Sequence, residues 1–166
     1  LVKYQGKTVS QIVESLTLEQ KAFQMVQPAI YNVSPASMKK FDYGSILSNI
    51  GSPEAGIWRR EIDNFQKATL ESESGIPFIY GQDDVHGVNY CRNAVYFPHN
   101  IGLGAANNPE LMYRIGLATA DEAKMCHMLW NFAPCVAQSE DPRWGRTYES
   151  YGADLSIITS LSTAYT

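Results

Sequence analysis

Two short stretches of this chain hold side chains able to do chemistry. Gly81-Gln82-Asp83-Asp84-Val85-His86-Gly87 sets two adjacent carboxylates close to a histidine. Glu140-Asp141-Pro142-Arg143-Trp144-Gly145-Arg146-Thr147-Tyr148-Glu149-Ser150 packs two guanidinium groups, three carboxylates and a tryptophan into eleven residues. A sugar ring presents several hydroxyls in fixed directions, each both donor and acceptor. A carboxylate accepts from two of them and a guanidinium donates to two in a fork. An Asp from the first stretch and an Arg from the second could therefore hold one ring, with Trp144 as a stacking platform or as core beneath the loop. Three other readings stand beside that one. Asp83 and Asp84 suit a turn. The acids and arginines of the second stretch suit an ion-pair network. Asp83, Asp84 and His86 together suit a metal-dependent hydrolase, although no partner set with ligand spacing accompanies them.

These stretches need elements to position them. Val9, Ile12, Val13 and Leu16 form one apolar stripe at helical spacing. Thr17 and Gln20 read as a capping box opening a second helix, and Ser34-Pro35 opens a third. Tyr43 to Ser48 is a strand candidate. Ser52-Pro53-Glu54 reads as the start of a helix carrying Trp58, Ile62, Phe65 and Thr69, and Gly75 ends that pattern. Residues 76–81 read as a buried strand, followed by a long loop to about 107. Asn108-Pro109-Glu110 starts a helix whose apolar face is Met112, Ile115, Thr119, Ala123 and Cys126. Leu129 to Val136 is the third strand candidate, and a last helix is expected over Ser156 to Tyr165 with no clear cap. Strands alternating with helices imply parallel βα units, whose active residues sit on loops after the carboxyl ends of strands. Both chemical stretches follow a strand. Within an extended segment, neighbours point opposite ways, so Asp83 and Asp84 are expected to face different environments.

The 166 residues, 45% apolar and 18% charged, suffice for about one domain with a sizeable core. They are too few for a complete eight-stranded barrel, which takes about 250. The expected fold is α/β, either a smaller domain or a piece of something longer. A net charge of −4 with scattered basic residues argues against nucleic acid or an anionic membrane as partner. No apolar run is long enough to span a bilayer, and no signal peptide is visible. The chain begins at Leu1, which reads as a processed or trimmed start, and Asn32-Val33-Ser34 is a glycosylation triplet. Three cysteines, Cys91, Cys126 and Cys135, with no C-x-x-C pair, read as free and mostly buried thiols.

Gly75 to Gly87 resembles the signature of family 3 β-glucosidases. Phe97-Pro98-His99-Asn100-Ile101-Gly102-Leu103-Gly104-Ala105 is similar to their next motif. Asn131-Phe132-Ala133-Pro134-Cys135-Val136, then Asp141-Pro142-Arg143-Trp144-Gly145-Arg146 and Tyr148-Glu149-Ser150, are similar to the third, and Thr17 to Met25 fits as well. The resemblance covers essentially the whole chain. It implies the opening portion of a (β/α)₈ TIM-type barrel preceded by N-terminal helices, incomplete as given. Residues 1–166 would be the amino-terminal part of the barrel domain, with the rest of the barrel and a second α/β domain elsewhere.

The same resemblance implies hydrolysis of terminal non-reducing β-D-glucosyl residues with retention, through a glycosyl-enzyme intermediate and without cofactor or metal. It assigns Asp83, not Asp84, and Arg146 to binding the sugar in the −1 subsite, with His86, Trp144 and Glu149 as loop scaffold. It places the family's Lys-His pair, nucleophile and acid/base outside this stretch, so no catalytic residue is expected here. Tyr151-Gly152-Ala153-Asp154 departs from the acidic helix start usual at that point. The implied partner is a β-linked glucoside or oligosaccharide, with self-association left open. The implied location is periplasmic or secreted rather than cytoplasmic. A β-xylosidase of the same family, and a non-catalytic sugar-binding or structural fragment, are the alternatives.

Overall fold

The computed structural model describes residues 2–166. Three short helices come first: α1 (Val9–Ser15), α2 (Leu18–Gln24) and α3 (Pro35–Phe41). Each begins where a side chain satisfies the open amides of the first turn. Thr8 pairs with Gln11, Thr17 with Gln20 and Ser34 with Ser37, all as reciprocal capping boxes. The chain then alternates: β1 (Ser45–Leu47), α4 (Ala55–Leu70), β2 (Ile79–Gln82), α5 (Asn100–Ala106), α6 (Pro109–Met125), β3 (Trp130–Asn131) and α7 (Leu155–Tyr165). Single 3₁₀ turns lie at Val2–Tyr4, Ile30–Asn32 and Thr147–Glu149.

The three strands form one parallel sheet in the order β1-β2-β3, with Ile46 opposite Tyr80 and Gly81 opposite Trp130. The fold is therefore α/β with βα units. Trp58, Ile62, Phe65 and Thr69 of α4 are all buried, as their spacing requires, and pack with Met38, Ile46, Phe78 and Tyr80. A second cluster joins α5, α6 and α7 through Leu103, Met112, Ile115, Tyr151, Ile158 and Leu161. A Cβ at Gly104 would overlap the Tyr151 carbonyl, so this glycine lets α5 lie directly on the segment that follows Glu149.

Several boundaries differ from the sequence expectation. Helix α4 begins at Ala55 with Glu54 as cap, not at Ser52, and the Pro53 carbonyl instead accepts from the Arg92 amide at 3.0 Å. Strand β2 starts at Ile79, half exposed, rather than at Ile76; Pro77 has no amide to enter a ladder. The third strand shrinks from Leu129–Val136 to two residues. Phe132 still donates to Gln82 at 3.0 Å, but Pro134 has no amide with which to continue. Helix α5 forms inside what reads as loop, because Gly104 marks a close contact with Tyr151 and not a turn, while Gly102 faces open space. The missing cap of α7 is Asp154, which accepts from Ser156 N at 2.8 Å. The apolar stripe of α1 is only partly covered among the described residues, with Ile12 and Leu16 half-buried and Val9 and Val13 exposed. It lines an open groove of about 430 Å³ with Leu16, Met25 and Ile76.

Candidate functional site

Strands β2 and β3 are parallel neighbours, so the loops leaving their carboxyl ends emerge at the same edge of the sheet. Strand β2 delivers Gln82, whose buried Oε1 accepts from the Asp83 amide at 3.3 Å. The extended backbone then turns successive side chains to opposite sides. Asp83 is exposed, and its carboxylate oxygens take no hydrogen bond among the described residues. Asp84 is fully buried. Gly87 has φ +80° and no room for a Cβ beside the Val95 carbonyl, so only glycine folds the loop back here. The return is locked by Phe97 N donating to His86 O at 2.8 Å. Asn89, with its amide nitrogen turned inward, donates to the Asp83 and Gly87 carbonyls.

The loop after β3 turns through Trp144 N to Asp141 O and Thr147 N to Trp144 O, both 3.1 Å. Arg143 forks onto Asp141 on the exposed surface. Arg146 forks onto Glu149, Nε to Oε1 at 2.9 Å and Nη2 to Oε2 at 2.6 Å. Glu149 is nearly enclosed, at 12% side-chain exposure, whereas Arg146 stands 63% exposed. The Arg146 hydrogen bonds hold the Glu149 carboxyl below the usual range, and Glu149 in turn raises Arg146. One edge of the guanidinium is thus spent within the protein. The remaining Nη makes no hydrogen bond among the described residues and is left as a donor held in one orientation.

Aromatic contacts tie the loops together. His86 stacks on Tyr96 at 5.6 Å and meets His99 edge-on at 4.1 Å, and His99 meets Tyr148 at 4.9 Å. Asn100, buried at the start of α5, donates Nδ2 to the Glu149 carbonyl at 2.9 Å. His86 and Glu149 therefore serve as support for the two loops. Trp144 is 39% exposed and lines a shallow cavity of about 320 Å³ with Gln138, Ser139, Glu140 and Asp141, so it is not core beneath the loop.

The arrangement suits a neutral polyol, with a free carboxylate on one loop and an oriented guanidinium on the other. The metal reading of Asp83, Asp84 and His86 does not assemble, because Asp84 points into the core. Among the described residues no group of three or more His, Cys, Asp or Glu is placed to hold a metal ion. Nor is any helix there long and apolar enough to cross a membrane. Sequence reasoning missed Asn100, His99 and Tyr148 as loop ties. The ion-pair reading of the second stretch holds for Arg143 with Asp141 and for Arg146 with Glu149.

Comparison with known proteins identifies the family. A family model described as the glycosyl hydrolase family 3 N terminal domain matches residues 17–166. The lysosomal beta glucosidase of Dictyostelium discoideum is 34% identical over 122 residues, covering 73% of this chain and 15% of that protein. The periplasmic beta-glucosidase of Salmonella typhimurium is 28% identical over 155 residues, covering 92% of this chain and 19% of that protein. Among solved structures, the exo-1,3/1,4-beta-glucanase of a Pseudoalteromonas species superposes with a TM-score of 0.88 at 37% identity, covering 94% of this chain and 21% of that one. The chain thus spans no more than about a fifth of the length of these relatives.

Proposed function

The chain belongs to glycosyl hydrolase family 3, and from that premise we propose that it forms the opening part of the (β/α)₈ barrel of a retaining exo-β-glucosidase. In this reading its loops grip the terminal glucosyl residue in the −1 subsite. Asp83 accepts hydrogen bonds from sugar hydroxyls, and Arg146 donates to the same ring through the Nη that Glu149 leaves free. The nucleophile and the acid/base come from residues beyond this stretch. Retaining hydrolysis needs two carboxyl groups on either side of the scissile bond, roughly 5–5.5 Å apart. Asp83 is an exposed binding group and Asp84 is buried, so neither takes those roles. The relatives named as lysosomal and periplasmic support a location outside the cytoplasm.

The observation that carries the proposal is the juxtaposition of an unpaired Asp83 and a Glu149-clamped Arg146 on adjacent strand-end loops, joined by His86, His99 and Tyr148. The test uses the full-length protein with p-nitrophenyl β-D-glucoside, and the corresponding xyloside in parallel. Asp83→Asn and Arg146→Lys should each lower kcat/KM on the order of 10²-fold or more, because buried sugar hydroxyls then lose a charged partner. Unchanged kcat/KM in both variants refutes the subsite assignment. Saturable glucose binding without any turnover favours a non-catalytic sugar-binding module, and preferred turnover of the xyloside reassigns the sugar.

A further inference from the structure

The loop that carries Asp83 doubles back on itself and presents an aromatic ring that the sugar grip does not use. Past Gly87 the chain returns so that Phe97 N donates to His86 O at 2.8 Å, and His86 Nδ1 lies 3.2 Å from the Phe97 carbonyl. On the other side the Val95 amide donates to both carboxylate oxygens of Glu122, at 3.0 and 3.2 Å. Tyr96 lies between these two pinned neighbours. Its ring stacks on the His86 imidazole, 5.6 Å between centroids and only 9° from parallel, yet the residue is 69% exposed. One face is therefore held against His86 while the other stays open among the described residues. Leaving a large aromatic in water forgoes the gain from burying it, and here the backbone on both sides is fixed as well. The ring is tied to the sugar site by contact. His86 meets His99 at 4.1 Å, His99 meets Tyr148 at 4.9 Å, and Tyr148 adjoins the Glu149 that clamps Arg146.

We propose that Tyr96 is the stacking platform for a ringed leaving group, the second sugar or aryl group bonded to the terminal glucose, and so sets which β-glucosides are preferred. This rests on the reading of Asp83 and Arg146 as the grip on the terminal sugar. A pocket that holds the end of a chain must let the rest of that chain point out to solvent. Tyr96 meets the requirement: it stands on the Asp83 loop, is held by His86, and faces solvent. The C–H face of a pyranose and the face of an aryl ring both pack on a flat aromatic side chain. Tyrosine offers that area with only two side-chain torsions to fix, and the His86 stack restrains them before substrate arrives, which lowers the cost of binding. Its hydroxyl can also donate to, or accept from, a hydroxyl of a second sugar. A small leaving group such as methoxide reaches none of this surface.

The test uses the full-length protein with three substrates that share the terminal glucose and differ in the leaving group: methyl β-D-glucoside, p-nitrophenyl β-D-glucoside and cellobiose. The ratio kcat/KM reports the step in which the leaving group is still attached. Tyr96→Ala should lower it about 10-fold for the two ringed substrates and leave the methyl glucoside nearly unchanged. Tyr96→Trp, which keeps a flat ring, should retain the wild-type pattern. Tyr96→Leu, which keeps apolar bulk without a flat ring, should show the selective loss and decides the matter if the alanine variant folds poorly. Selective loss on either ringed substrate supports the proposal, and which of them is affected tells a sugar platform from an aryl one. An equal loss on all three overturns it, because Tyr96 then acts through His86 on the grip of the terminal sugar. A wild type active on all three with no effect of Tyr96 defeats the platform alone. A wild type that turns over none of them defeats the underlying reading of Asp83 and Arg146, and the platform with it.

Discussion

Replacing Asp84 with asparagine should flatten the pH dependence of this domain's stability. Asp84 is fully buried, and neither carboxylate oxygen has a hydrogen-bond partner. The ionisable groups that share its charge are Asp83, Tyr80, Cys126 and Tyr165, none of them a cation. Burial, with a smaller contribution from Asp83, pushes its pKa from the ordinary 3.8 up to about 7. Between those values the folded protein keeps a proton that the unfolded chain has lost. Stability therefore falls as pH rises from about 4 to about 7 and levels off above. Each tenfold difference in proton affinity is worth about 1.36 kcal/mol, so the ionised carboxylate costs the fold on the order of 4 kcal/mol at pH 8. Asn keeps the shape and cannot ionise, so Asp84→Asn should recover most of that difference at pH 8 and little at pH 4. Urea unfolding of full-length wild type and variant across this range reads the effect. Infrared difference spectra should show a protonated carboxyl band in the wild type that the variant lacks. Parallel stability curves, with no band lost on substitution, would falsify the reasoning.

At the neighbouring carboxylate the balance reverses: Asp83→Asn should change the pH–stability curve only slightly, by removing its smaller contribution to the Asp84 shift, while abolishing most of kcat/KM, read by urea unfolding and steady-state kinetics. Glu149→Gln releases one edge of Arg146, and a displaced clamp of this kind should lower kcat/KM on the order of 10²-fold, chiefly through KM in steady-state kinetics. Because Arg146 holds the Glu149 carboxyl below its ordinary value, the clamp persists through the usual carboxylate range and opens only as pH falls through the depressed value. A wild-type kcat/KM pH profile checks this, and an acid limb lying above the ordinary carboxylate range refutes it. Residues 2–166 expressed alone should aggregate. Val9, Met25, Leu129, Trp130 and Val136 are all exposed, and β3 is a sheet edge. Size-exclusion chromatography showing a well-folded monomer would contradict this.

What the sequence determined by itself were the features set by local chemistry. Thr17 with Gln20, Ser34 with Pro35, and Asn108 with Pro109 mark helix starts because an open first turn needs a side-chain acceptor and tolerates a missing amide. The four- and three-residue spacing of Trp58, Ile62, Phe65 and Thr69 determined which face of α4 is buried. Alternation along an extended strand end separated Asp83 from Asp84, though not which of them faces out. The ordered motifs from Gly75 to Ser150 sufficed to identify the family.

Other features depend on contacts between residues distant in the chain. Only the packed structure turns Asp84, not Asp83, into the core. Only it shows α5 resting on Tyr151 through Gly104, and Asn100, His99 and Tyr148 tying the two loops together. The fork of Arg146 could have served a sugar or a carboxylate equally well. The 3₁₀ turn at Thr147–Glu149 decides for Glu149 on one edge, and the remaining Nη makes no hydrogen bond among the described residues. Spacing along a chain encodes which residues share a helix face or strand side. It does not encode which loops meet when parallel strands place their ends together, and that meeting makes this candidate site.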